Sequence, residues 1–152
     1  EYSMVSEEQG ACLREAWPMF RQGLLDGTEA ARFCSRQPNA EEEDNCYQSV
    51  SSIIGRMSLG STEKADKACS ALPERRQVMC YSFSAQSILE EDLADSARAI
   101  GLCQQAPEQI SDDCLAGLAQ RASFTFPAGS PARDALCNAL PEKHQATCRG
   151  GR

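Results

Sequence analysis

Nine cysteines in 152 residues are the side chains with the most chemistry to offer. Cysteine can ligate metal, exchange disulfides, attack a substrate or form a structural bridge, and spacing separates these uses. Zinc sites pair cysteines with about two to four residues between them, whereas the nearest two here have ten between them, and no C-x-x-C motif is present. Metal binding and redox catalysis are therefore disfavoured, and no cofactor is expected. An enzyme would need a nucleophile, a base and an orienting group in mutual reach. His144 is the single histidine, and it stands where Arg76 stands in an earlier near copy of the same segment, which reads as a solvated helix position rather than a catalytic one. The acidic run from Glu41 to Asp44, "EEED", lacks the alternating oxygen ligands and the glycine of a calcium loop; it reads as the first turn of a helix, where negative charge is favoured. Met4, Met19, Met57 and Met79 with a free thiol would make a small-ligand or metal carrier, a minor reading.

Two clusters are binding-like. Trp17 with Arg14, Phe20 and Arg21 combines the residue types that dominate interface hot spots, although Trp17 and Phe20 covering an open end of the fold is the favoured explanation. "FTFP" from Phe124 to Pro127 puts two aromatics in a connection between helices, where local packing is the expected use.

The cysteines recur with a period. "CSALPERRQVMC" from Cys69 and "CNALPEKHQATC" from Cys137 are near copies. "CQQAPEQISDDC" from Cys103 lies halfway between them, and a looser copy, "CSRQPNAEEEDNC", begins at Cys34. The chain is a tandem array with a period of 34, and such a period means stacked supersecondary units. Aligned on cysteine, Thr28, Thr62, Ser96 and Ser130 form a column of hydroxyls suited to cap a helix. Glu29 and Glu63 follow two of them and Pro131 another, residues suited to a first turn. A short helix from each cap ends at Pro38, Pro73, Pro107 or Pro141, since proline cannot continue a helix but can begin one.

A longer helix follows. Leu13, Tyr47, Tyr81 and Leu115 come directly after a cysteine, Ala16, Val50, Ser84 and Leu118 three further on, and Phe20, Ile54, Ile88 and Ala122 one turn later. That stripe has helical period and predicts long helices over about 40–57, 74–90 and 108–124, with pieces near 7–22 and 142–149. Loops such as "LGS", "LADS" and "PAGS" return the chain to the next cap. Two helices per repeat bury their faces only by stacking on neighbours. The predicted fold is all-α, an α-solenoid in one domain, with repeats over about 1–27, 28–61, 62–95 and 96–129 and a partial repeat over 130–152. An irregular disulfide-stapled helical bundle is the alternative, and the regularity of the cap spacing counts against it.

Leu, Ile, Val and Phe number 25 of 152 residues, about 16%, a share at which a chain struggles to stay folded on burial alone. Bridges are the natural supplement. Two pairings fit the period. One closes each unit, Cys34 with Cys46, Cys69 with Cys80, Cys103 with Cys114 and Cys137 with Cys148, leaving Cys12 unpaired. The other spans the long gaps and leaves Cys148 alone. The first is favoured, because cysteines one turn before and two turns after a bend are offset axially by only about 4–6 Å at 1.5 Å per residue, and a bridge tolerates little more. Each such bridge contributes about 2–3 kcal/mol. Cys12 lies one full period before Cys46, so its partner would fall at position 1, where Glu1 stands. Either the parent chain continues upstream, which is favoured, or Cys12 is an odd thiol able to link two molecules.

Disulfides on this scale need an oxidising compartment, periplasmic or extracellular. No signal peptide is visible, so the segment reads as mature or excised, and no apolar run approaches the roughly 20 residues of a membrane span. With 15 basic and 22 acidic residues the net charge is −7, which argues against nucleic acid or an anionic membrane as partner.

By period, two-helix unit, bend proline and cysteine placement, the chain resembles the tetratricopeptide-type helical repeats, particularly their cysteine-rich secreted relatives, in which a disulfide joins one helical hairpin to the next. That resemblance implies a curved scaffold for a protein or peptide. The leading expectation is a non-enzymatic interaction scaffold. A structural or assembly element of a larger secreted or periplasmic protein, self-associating through Cys12, is the second.

Overall fold

The computed structural model describes residues 23, 25, 27–92 and 95–150. Cys12, Arg14, Trp17, Phe20 and Arg21, the two methionines Met4 and Met19, and the helix expected near 7–22 lie outside the described residues. Eight helices make up the described chain: α1 (Thr28–Cys34), α2 (Ala40–Met57), α3 (Thr62–Ser70), α4 (Glu74–Glu91), α5 (Ser96–Gln105), α6 (Glu108–Thr125), α7 (Pro131–Ala139) and α8 (Glu142–Cys148). Short helices alternate with long ones, α2, α4 and α6 having 18 residues each.

Each short helix turns back at a bend onto the long helix that follows it. The long helices α2, α4 and α6 and the seven-residue α8 that continues their row then pack in succession, and so do α3, α5 and α7. The result is a two-layer α-solenoid. One edge of the stack carries the proline bends, from which each long helix starts; the other carries the loops into which α2, α4 and α6 run.

The bends form as expected. Pro73, Pro107 and Pro141 cap α4, α6 and α8 with φ of −53°, −51° and −52° and extended ψ, a conformation that the pyrrolidine ring already favours. The first bend is one residue longer, and there Asn39 is the cap, its side chain accepting from the Glu42 N–H while Glu42 accepts from the Asn39 amide. Glu41, Glu42 and Glu43 form the first turn of α2.

The cap column of the short helices departs from expectation. Thr28, Thr62 and Ser96 are first helical residues rather than caps; Ser61 and Asp95 accept from the Lys64 and Arg98 N–H groups, and only Ser130 caps as expected, accepting from Arg133. At Ser61–Thr62 and Asp95–Ser96 two cap-competent residues are adjacent, and the helix begins after the first of them. Glycine precedes Ser130 and Thr28. Gly27 stands at the start of α1 with φ 72° and no side-chain cap, and a Cβ added there would lie 2.4 Å from the Ala68 carbonyl oxygen.

The core explains how so few large apolar residues suffice. All eight described cysteines are at most 4% exposed and form part of it, with Tyr47, Tyr81, Ile54, Ile88, Leu102 and Leu118 as the bulk. Small residues let helices approach closely: Ala65, Ala85, Ala99 and Ala119 are essentially inaccessible. At Gly55 a Cβ would sit 3.0 Å from the Phe83 carbonyl oxygen and 2.8 Å from Ser87 Oγ, so this position sets the contact of α2 with α4. In the fourth unit the buried alanine column of Ala30, Ala65 and Ala99 becomes Arg133, 7% exposed. Its Nε donates to the Cys148 carbonyl at 3.0 Å, satisfying an orphan acceptor where α8 ends and Gly150 turns left-handed.

Candidate functional surface

The bend edge is internally employed. Bridges join Cys34 to Cys46, Cys69 to Cys80, Cys103 to Cys114 and Cys137 to Cys148, with Cα–Cα separations of 5.4–5.6 Å. Each closes its own hairpin around the bend. Gln77 and Gln145 fold back from the following helix to donate to the Leu72 and Leu140 carbonyls at 2.9 and 3.0 Å, groups that the ending short helix leaves unpaired.

Ion pairs then tie hairpin to hairpin. Arg76 on α4 pairs with Asp44 on α2 and lies over the Tyr47 ring, 5.2 Å from its centroid; Arg75 pairs with Glu43 at 2.7 Å. Two repeats later His144 and Lys143 on α8 both reach the Asp112 carboxylate on α6, at 2.8 and 2.6 Å. Lys143 first and His144 second hold the Asp112 carboxyl below its ordinary pKa. Between these two ionic seams the equivalent positions are Val78 and Ile110, half-buried and buried. The close likeness of "LPERRQ" and "LPEKHQ", with "APEQIS" between, follows from this alternation.

His144 is therefore not the solvated residue its position suggested. Its side chain is 12% exposed, enclosed by the seam and bonded to Asp112, a role visible only when two segments distant in sequence pack together. Its bond to Asp112 ties α8 to α6 across two repeats. No group of three or more His, Cys, Asp or Glu side chains among the described residues has the arrangement of a metal site. Met57 and Met79 are half-buried on separate helices.

Within hairpins the polar bonds vary too. Tyr81 donates to Asp66 at 2.6 Å, and burial together with that bond pushes its hydroxyl pKa up. Tyr47 reaches only the Ala31 carbonyl, at 3.4 Å. In the third hairpin the matching positions are Leu115 and Ile100, both 5% exposed, so an apolar pair takes the place of a polar one.

The loop edge is built differently. No disulfide lies there among the described residues, and two large apolar side chains face solvent: Leu59, 66% exposed, and Phe124, 81% exposed. Leu59 has φ 48°, in the left-handed region that costs a branched residue about 1 kcal/mol or more, and its exposure recovers none of that through burial. Phe124 and Phe126 part company. Phe126 leaves α6 in an extended conformation and turns inward to 5% exposure, whereas Phe124, still in the last turn of α6, points outward; the expected local packing holds for the first and not the second. Next to Phe124, a shallow cleft between the ends of α4 and α6 has Leu89, Ala122 and Phe126 in its lining, with Gln86, Glu90, Arg121 and Thr125 around them. Glu90 and Arg121 lie 3.9 Å apart and are 62% and 55% exposed. The third exposed apolar residue, Phe33, is 45% exposed at the bend end of α1.

Charge divides between the layers. The layer of α2, α4, α6 and α8 carries eleven acidic and five basic residues, that of α1, α3, α5 and α7 four and five, so the negative charge of the described helices sits on the layer that holds the long helices. Among the described residues no helix is long and apolar enough to cross a membrane. Comparison with protein families, with curated proteins and with solved structures gives no match to this chain.

Proposed function

We propose that this chain is a non-catalytic scaffold that binds a protein partner through its loop edge, in an oxidising compartment of periplasmic or extracellular type. The exposure of Phe124 beside the cleft carries the reading. A soluble protein commonly exposes single apolar residues, but here two stand on the same edge, Leu59 in a strained backbone conformation and Phe124 in the helix turn whose neighbours Ala122 and Phe126, with Leu89, form the apolar part of a cleft. At the opposite edge Arg75, Arg76, Lys143 and His144 and the Leu72 and Leu140 carbonyls are engaged in internal bonds. Four buried disulfides support the compartment. The stacked helical hairpins resemble the architecture of tetratricopeptide-like repeats, whose use as protein-binding scaffolds agrees with this reading, and the acidic long-helix layer disfavours nucleic acid.

Photo-crosslinking tests it. A crosslinking residue placed at position 124 in the oxidised protein, within its native compartment, is expected to capture a protein, while the same residue at exposed Glu108 on the bend edge captures none. Capture at 108 alone would overturn the assignment.

A further inference from the structure

We infer that the patch formed by the ends of α4 and α6 is self-complementary and docks a second copy of this chain about a two-fold axis. The inference rests on the reading of the loop edge as a contact surface and names its occupant. In an isologous contact whatever one copy presents the other must accept, so a self-docking patch needs a knob beside its own hole and both signs of charge side by side. The patch has both. Phe124, 81% exposed in the last turn of α6, is the knob; it stands next to the cleft whose lining includes Leu89, Ala122 and Phe126. Glu90 and Arg121 border that cleft, and their separation of 3.9 Å is too long for a well-made charged hydrogen bond, with more than half of each side chain open to water. A two-fold axis passing between them brings Glu90 of each copy to Arg121 of the other. Two ion pairs then form around two rings laid against the mouths of the facing clefts, in place of one loose pair within each chain.

The cleft is lined by seven residues, against the roughly 20–30 residues a side of a standard interface. The dimer is accordingly weak, with a dissociation constant on the order of micromolar to millimolar, and reversible.

Sedimentation equilibrium over about 10 µM to 1 mM, a range that brackets such an affinity, tests the inference in a Cys12→Ser background, so that no bridge through that thiol contributes. Wild-type residues at the patch are expected to give a concentration-dependent dimer, and Phe124→Ser a monomer. Glu90→Arg and Arg121→Glu are each expected to weaken association at least tenfold, and their combination to restore it, because only the double variant again opposes unlike charges across the axis. Phe124, Glu90 and Arg121 are at the surface, and matching melting curves confirm that each variant is folded. A protein monomeric at the highest concentration, or single charge reversals that associate like the parent, overturns the inference. If such a monomer still captures a foreign protein through position 124, self-docking falls and the loop-edge reading stands; if capture moves to position 108, the loop-edge reading falls as well.

Discussion

At the bend edge each described hairpin is closed by a disulfide, its bend carbonyls are met by returning glutamines where Gln77 and Gln145 stand, and two of three seams are tied by ion pairs. At the loop edge the same hairpins have no bridge among the described residues, the Glu90–Arg121 pair between α4 and α6 is loose, and Leu59 and Phe124 are left in water. One repeat thus produces two unlike edges. The difference teaches that the bonds holding the fold are concentrated on one edge: covalent closure there lets the other carry exposed apolar side chains, the surface proposed above for contact.

The largest effect expected from breaking this division comes from the bridges. Replacing Cys69 and Cys80 together by alanine costs about 2–4 kcal/mol, measured by denaturant unfolding of the oxidised protein. A loss below about 1 kcal/mol would mean that packing alone holds the bend edge. Gly55 probes what holds the loop half. In a helix interior alanine normally gains about 0.5–1 kcal/mol over glycine, yet Gly55→Ala is expected to destabilise by about 1–3 kcal/mol, the range typical of overpacking, because its Cβ meets the Phe83 carbonyl. A gain in stability would show that α2 and α4 are not in close contact there.

Tyr81→Phe is expected to cost about 1 kcal/mol, since Asp66 loses its donor. Changing both partners to the residues of the third hairpin, Tyr81→Leu with Asp66→Ile, should recover most of that loss if the two hairpins are interchangeable solutions to one packing problem. A smaller effect depends on pH. Asp112 has its pKa lowered in the folded chain, by Lys143 and then His144, so its contribution is present above its ordinary value of 3.8 and is lost as pH falls through the lower folded value. Asp112→Asn should make the melting temperature fall more shallowly with acid below pH of about 4. An unchanged slope would remove the ionic character of that seam.

The period, the alternating helix lengths, the proline bends and the first-turn acids of α2 were all readable from spacing, because each depends on residues within one turn or on the repeat itself. The caps were readable only to within one residue, since Ser61–Thr62 and Asp95–Ser96 each offer two candidates. The seams were not readable. Asp112 meets His144 from the neighbouring repeat, and nothing local to either says that their helices lie in register. The same limit hid Phe124 from Phe126: two positions apart, they differ in burial because the helix ends between them. Leu59 gave no signal at all, because neither its φ nor its exposure is written in "SLGS". The expected binding cluster around Trp17 lies outside the described residues, and the surface proposed here rests on none of it.

Melting Arg76→Ala in parallel with the pair Leu59→Asn and Phe124→Ser tests the division of labour most directly. The account predicts that Arg76→Ala, which strips Asp44 of its partner and uncovers the Tyr47 ring, lowers the melting temperature by several degrees, at about 2–4 °C per kcal/mol for a chain of this size. The loop-edge pair is expected to leave it unchanged or raise it slightly, asparagine being at ease in the left-handed region. A loop-edge pair that melts as early as Arg76→Ala would contradict the account, since the two exposed residues would then belong to the fold rather than to a surface kept for contact.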